Sequence, residues 1–384
     1  MKNKKLIYLD TAATTPCTNE VINAMISYFA DHYGNASSSH VMGRRARIAI
    51  QEATRHISKL INCSPSEIIY TAGATESNNL VVLGCAEPGS NIIISPIDHK
   101  SVLASAEEIK ARGVEVRRMN VDATGRIDID HLARLIDSST RLISLSYVNS
   151  EIGTYQSLAG VRKAMKTCNA LLHIDASQAL GKLPIDVRRS GIDCASFSAH
   201  KVGGPKGIGA LYISLQSWRR FRPITFGGGQ SALRSGTLPT PLIVGFGAAA
   251  KFMAKQNLRS AWKSAVAKRR LILDIFREQG IQYELNSPTT HSAPYILNLS
   301  IPGVRSETLI SCLADVCISS GSACNSQNLS PSHVITGIGY SVDRAECAIR
   351  ISYNADIDVI ELRAGVEAIA STLKLLVKLT KEHL

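Results

Sequence analysis

A chain of 384 residues is long enough for two domains, and its 45% hydrophobic and 19% charged residues describe a globular protein, neither disordered nor fibrous. Its formal net charge of +12 comes as scattered doublets such as Arg44-Arg45, Arg117-Arg118 and Arg269-Arg270, without interleaved aromatics or a groove-reading motif. No direct nucleic-acid contact is therefore expected, although an acidic partner fits; the absence of any apolar run near ~20 residues, and of a signal-peptide core behind the basic start, predicts a cytoplasmic protein without a membrane segment.

Residues 6–16 read as a strand running into a small-residue turn closed by Pro16. Residues 19–29 have helical spacing, with Val21, Met25, Tyr28 and Phe29 on one face. The turn-rich Gly34-Asn-Ala-Ser-Ser-Ser-His40 precedes a basic amphipathic helix over 43–61, ended near Asn62 and Pro65. A strand over 68–71 then meets Gly73, and Thr75 to Ser77 opens a helix. Strand, glycine turn and helix N-terminus make an anion-binding arrangement, because backbone N–H groups and the positive end of the helix dipole face one point. The same letters suit a helix that merely begins near a threonine.

A strand over 91–95 ends just before Asp98-His99-Lys100, where a histidine serves as a cap as readily as a catalyst. Strands over 114–121 and 141–148, with helices over 130–136 and 157–168, continue the β/α alternation. Leu171-Leu-His-Ile-Asp175 is an apolar strand ending in an acid. Asp193-Cys-Ala-Ser-Phe197 is another, followed at once by Ser198, His200 and Lys201. A strand-end carboxylate and a strand-end lysine are what a pyridoxal 5'-phosphate (PLP) site needs. The lysine condenses with the aldehyde, and the acid keeps the pyridine nitrogen protonated so that the ring can accept electrons. A solvated loop lysine and a strand-capping aspartate would spell the same sequence. A strand over 207–214 follows. The alternation predicts an α/β fold with a mostly parallel sheet covered on both faces. The candidate residues all fall at strand carboxyl ends, where such sheets bind ligands.

Phe226 to Pro239 reads as a glycine-rich loop carrying Arg234 and Thr237. A long helical region over 243–278 is expected to hold the domain boundary. Residues 13–257 then form a large domain, and 1–12 with 258–384 a smaller α+β domain. Its elements are strands over 295–301, 316–319 and 348–352, a helix over 307–314 and a C-terminal helix from Val359. Nine cysteines with no C-x-x-C pair argue against a disulfide framework and a structural zinc site, and no metal is expected. Most of these cysteines have apolar neighbours and are expected to be buried. Cys324 departs from that pattern. It lies in Ser319-Ser-Gly-Ser-Ala-Cys324, on a polar loop over about 317–331, where an accessible thiol is either a nucleophile or a bystander.

Taken together, these stretches resemble the group I (NifS/IscS-like) cysteine desulfurases, a branch of the fold-type I PLP-dependent enzymes. The matching motifs span nearly the whole chain in one order: Leu9-Asp-Thr-Ala-Ala-Thr-Thr-Pro16, Gly34 to His40, Gly73-Ala-Thr-Glu-Ser77, Asp98-His-Lys100, Val148-Asn-Ser-Glu-Ile-Gly153, His173-Ile-Asp-Ala-Ser-Gln178, Ser198-Ala-His-Lys201, Arg234-Ser-Gly-Thr237, Ser319 to Cys324 and Ile349-Arg350. The resemblance implies that Lys201 holds PLP and shuttles protons, Asp175 pairs with the ring nitrogen, and Gln178 bonds the phenolic oxygen. His99 would stack on the ring and assist acid–base steps. Ala74, Thr75, Ser198 and His200 would hold the cofactor's phosphate end, helped by Thr237 from the other subunit of a homodimer. Asn149 would touch cofactor and substrate and, with Arg350, take the substrate carboxylate. Cys324 would attack the sulfur of L-cysteine, leaving L-alanine and an enzyme persulfide for an acceptor protein. A selenocysteine lyase or another PLP-dependent lyase or aminotransferase is the alternative, against which Cys324 in its Ser-Gly-Ser-Ala-Cys context argues. A basic adaptor that keeps only the fold would not need Lys201, Asp175 and Arg350. Gly203 stands where many relatives have a bulkier residue. Relatives serving iron–sulfur scaffolds carry a tail beyond the last helix, where this sequence stops at Leu384. Sulfur supply to tRNA thiolation or DNA phosphorothioation therefore fits as well as iron–sulfur assembly, and the basic charge leans that way.

Overall fold

The computed structural model of the chain describes residues 6–166, 168–321 and 331–382. In chain order its strands are β1 (Ile7–Tyr8), β2 (Ile68–Thr71), β3 (Asn91–Ile94), β4 (Glu115–Arg118), β5 (Thr140–Ser146), β6 (Leu171–Asp175), β7 (Cys194–Ser198), β8 (Gly209–Ile213), β9 (Thr225–Gly229), β10 (Arg234–Gly236), β11 (Glu284–Leu285), β12 (Ile296–Ser300), β13 (Val316–Cys317), β14 (Ser319–Ser320) and β15 (Ala348–Ser352). The helices are α1 (Asn19–Ala30), α2 (Val41–Ile61), α3 (Ala74–Cys85), α4 (Lys100–Ala111), α5 (Ile129–Leu135), α6 (Leu158–Ala164), α7 (Thr240–Met253), α8 (Leu258–Glu278), α9 (Ser306–Cys312), α10 (His333–Gly337), α11 (Val342–Glu346) and α12 (Val359–Glu382).

Seven strands form the main sheet in the order β2-β8-β7-β6-β5-β3-β4, parallel except where β8 pairs with β2 and β7. Its inner strands are buried along nearly their whole length because both faces are covered. The pleat sorts them: Ile92, Ile94, Leu142 and Leu171 face α3 and α4, while Ile93, Ile143, Leu172 and Ile174 face the larger core that includes α2 and α7. This larger core runs on without a break into the second sheet, β11-β12-β15-β14, through Leu297, Leu299, Ile349 and Ile351. The N-terminal strand β1 pairs with β13, and Asp10 bridges Ser352 of β15. Thus the first residues lie against the second sheet and deliver Ala12 and Ala13 to the end of the first.

Three local expectations change. The glycine-rich stretch read as a loop contains the strand pair β9–β10. Every residue of β9 is exposed, so there was no alternating apolar pattern to find. Gln230, between these strands, bonds the edge strand β2 at both its Tyr70 N–H (2.5 Å) and its Tyr70 carbonyl (2.8 Å), completing an otherwise open edge. The helical region over 243–278 divides into α7 and α8, with Asn257 capping α8 by accepting Ser260 N–H. Finally, of the free cysteines among the described residues only Cys194 is buried; Cys312 is exposed and the others are half-buried. Apolar sequence neighbours alone do not bury a residue near the end of an element. The partial cover at Cys63 and Cys85 still pushes both thiols up to about 12. Among the described residues no helix is long and apolar enough to cross a membrane, and no group of three or more His, Cys, Asp or Glu is placed to hold a metal.

Candidate active site

At the carboxyl ends of β5, β6 and β7 lies a cavity of about 930 Å³, lined by Ala74, Thr75, His99, Asp175, Gln178, Ser198, His200, Lys201 and Arg350. Residues from β2 through β15 therefore converge on one space. Asn149 lines an adjoining cleft that shares His99, Ser146, Ser150 and Arg350 with the cavity. Thr237 is exposed and does not line the cavity. Cys324 lies outside the described residues.

Asp175 ends β6 with its carboxylate buried and fully engaged. Oδ1 accepts from Ser177 N–H at 3.0 Å and Ser177 Oγ at 2.6 Å, and Oδ2 accepts from Asn78 Nδ2 at 2.8 Å. Three donors from two residues thus hold one carboxyl group in place. Lys201 follows β7 in a single 3-10 turn and donates from Nζ to the Ala12 and Ala13 carbonyls at 2.6 and 2.7 Å. Gln178 donates to the same Ala12 carbonyl at 2.8 Å. The N-terminal loop thus gathers the lysine and the glutamine at one point.

The helix N-terminus read from Gly73 is present. Gly73 is the N-cap of α3 and Ser198 Oγ stands beside it. This approach requires Gly209 on β8: a Cβ there would lie 2.5 Å from Phe197 O and 2.6 Å from Gly73 Cα. Glu76 fixes the turn by accepting Ala72 N–H at 2.6 Å while paired with Arg234 at 2.8 Å. His200 completes this end, its Nδ1 3.0 Å from Thr14 Oγ1. Burial, then the charges of Lys201 and Lys206, push its imidazole down to about 4, so it is neutral near pH 7. Gly203 adopts φ +78°, a left-handed conformation that favours glycine.

Arg350, on β15, is buried and oriented by Asp10 (2.8 Å), the Ser150 carbonyl (3.0 Å) and Ser319 Oγ (3.1 Å). Asn149 shapes the neighbouring turn: Oδ1 accepts Glu151 and Ile152 N–H, and Nδ2 donates to the Ile97 carbonyl. The turn carries Glu151 inward, where burial pushes its carboxyl up to about 7 against the Ser332 hydroxyl and the Arg350 and Lys100 charges. Asp98, raised to about 7 by burial, ties the ends of β3 and β5 by accepting Ser95 and Ser146 N–H. His99 is both the N-cap of α4, accepting Ser101 N–H at Nδ1, and a cavity residue. Asp10, Asn78, Ser101 and Glu151 carry no role in the sequence reading. Each stands in or beside a recognised motif, but each has at least one partner more than twenty residues away.

Gln178 Oε1 and Arg350 Nε are buried without a hydrogen-bond partner, as expected where a ligand supplies the missing contact. A buried carboxylate, a lysine amine and a helix N-terminus beside Ser198 and His200 suit the ring nitrogen, aldehyde and phosphate of PLP. A sequence profile of the aminotransferase class-V family matches residues 7–362. The cysteine desulfurase IscS of Neisseria meningitidis serogroup C is 39% identical over 382 residues, covering 97% of this chain and 93% of that protein. A solved NifS-like protein superposes with a TM-score of 0.89 at 33% identity, over 96% of this chain and all of its own. SspA, solved in complex with cysteine, superposes with a TM-score of 0.81 at 34% identity, over 91% of this chain and 99% of its own. With this fold, these residues and these likenesses, the chain belongs to the aminotransferase class-V family, in its NifS/IscS-like cysteine desulfurase branch.

Proposed function

We propose that the chain is a PLP-dependent cysteine desulfurase that converts L-cysteine to L-alanine and carries the displaced sulfur as a persulfide on Cys324. The observation that carries this reading is the convergence of Asp175, Lys201 and Arg350 on one cavity. Lys201 would hold the cofactor through its aldehyde and move the proton at the substrate α-carbon. Asp175 would pair with the ring nitrogen, Gln178 with the phenolic oxygen, and Ala74, Thr75, Ser198 and His200 with the phosphate. When bound, the protonated ring supplies an electron sink for bonds broken at the substrate. Arg350 takes the substrate carboxylate through a charge-assisted pair, with Asn149 beside it. His99 carries a proton at the cavity wall. The Cys324 thiolate forms a sulfur–sulfur bond as the substrate's carbon–sulfur bond breaks, and the β-carbon left behind is protonated to give alanine.

The working unit in this reading is a homodimer in which Thr237 reaches the partner's phosphate site. Residues 13–257 form the cofactor-binding domain, and 1–12 with 258–384 the smaller one. An acceptor protein in iron–sulfur assembly, tRNA thiolation or DNA phosphorothioation takes the sulfur, and a reducing cytoplasm suits the free thiols. The relative solved with cysteine supports the choice of substrate. Incubation of the purified protein with L-cysteine should give alanine and protein-bound sulfane sulfur in equal amounts in the first turnover. No alanine, or the same alanine from Lys201→Ala, would overturn the assignment.

A further inference from the structure

Behind the cavity wall a hydrogen-bonded chain joins α3, β6 and α4. Asn78 Nδ2 donates to Asp175 Oδ2 at 2.8 Å and to Ser101 Oγ at 2.9 Å. Ser101 Oγ lies 2.8 Å from His99 Nδ1, which also accepts Ser101 N–H at 3.1 Å. Asn78, Ser101 and Asp175 are buried, Asn78 completely so at 0% exposure. The sense of the chain is fixed at one end. Facing a carboxylate, the Asn78 amide must present nitrogen, because the flipped amide would set two acceptors against each other. Its other hydrogen goes to Ser101 Oγ, so the serine hydroxyl hydrogen is directed to His99. Nδ1 then meets two donors and carries no proton of its own, and the neutral imidazole carries its proton on Nε2.

One further observation separates this from ordinary core packing. Asn78 Oδ1 is buried with no hydrogen-bond partner. A leucine of similar size would bury there without an orphaned acceptor, whereas the asparagine keeps two useful donors at the expense of one unsatisfied oxygen. We propose that Asn78 and Ser101 are positioning residues that tie the Asp175 carboxylate to His99 and hold its imidazole as the Nε2–H tautomer. The value of that tautomer to catalysis rests on the functional reading above, since a histidine that moves a proton at the substrate must hold it on a defined atom.

The test is a long-range proton–nitrogen correlation spectrum of the cofactor-loaded, 15N-histidine-labelled full chain, with His99 assigned by its loss in His99→Gln. The native protein should show a single Nε2–H tautomer at His99. In Ser101→Ala and in Asn78→Leu, where the backbone N–H of residue 101 still meets Nδ1 but the directed hydroxyl is lost, the two ring-nitrogen resonances should move part of the way toward each other as the tautomers mix. Turnover should fall about tenfold with KM within about twofold, the part of acid–base catalysis that depends on proton placement. A mixed or Nδ1–H state in the native protein would overturn the inference, as would a tautomer unchanged in Ser101→Ala. The serine variant decides alone if Asn78→Leu does not fold. A native protein with the Nε2–H tautomer but no action on L-cysteine would refute the functional reading and leave this one standing.

Discussion

Glu151 has its carboxyl buried beside Arg350, and burial pushes it up to about 7. Its folded value lies above the ordinary carboxylate value, so its protonated form stabilises the fold below about 4.5, and that contribution is lost as pH rises through about 7. Between pH 5 and 8 the native protein should lose thermal stability relative to Glu151→Gln, by at most about 3 kcal/mol. Parallel melting-temperature profiles for the two proteins would show that Glu151 does not titrate in this range. Lys201→Ala and Cys324→Ser should fail differently. The first loses covalent cofactor attachment and all turnover. The second keeps the bound cofactor but makes no persulfide, because a serine hydroxyl is a far poorer nucleophile toward sulfur than a thiolate. Cys312→Ser is the informative control, since that thiol is exposed; a persulfide mapped by mass spectrometry to Cys312 would move the acceptor there. Lys201 and Asp175 were legible in the sequence because Asp175 ends one buried strand and Lys201 closely follows another. Asn78 was not, because its partner Asp175 lies 97 residues away and nothing local marks the contact.

Helices α2 and α7 meet along small residues, so closely that a Cβ on Gly247 would stand 2.5 Å from both Cα and Cβ of Ala53. Gly247→Ala should therefore destabilise the protein by about 1–3 kcal/mol, as overpacking does, whereas Gly228→Ala, with nothing within 4 Å, should be nearly neutral. Denaturant midpoints of the two variants check this; equal midpoints would mean that the helices part without penalty. Elements with a hydrophobic rhythm were legible: the strand expected over 348–352 is β15, and the amphipathic helix expected over 43–61 is α2. The strands β9 and β10 were not, because they bury no apolar face and are held by each other, by Gln230 on Tyr70 and by the Arg234–Glu76 pair. The break between α7 and α8 was hidden for the opposite reason, since both sides of it keep helical composition.

Over the whole molecule, the sheet order brings strand ends that are far apart in sequence to a single cavity, while the N-terminal residues reach it through β1 and the Asp10 bridge to β15. The β/α alternation made the mostly parallel sheet legible; the pairing of β1 with β13 depends on chain closure, which no local pattern encodes. Thr237 is exposed and apart from the cavity of its own chain, so if it serves the partner's site in the homodimer proposed above, light scattering should give twice the chain mass and Thr237→Ala should weaken PLP binding. A monomer that retains tight PLP binding would contradict the shared site. The central claim, that Lys201 and Asp175 build a PLP site, is tested most directly by borohydride reduction of the cofactor-loaded protein followed by peptide mapping. The account predicts one modified peptide, carrying the cofactor on Lys201; label on another lysine, or none at all, would contradict it.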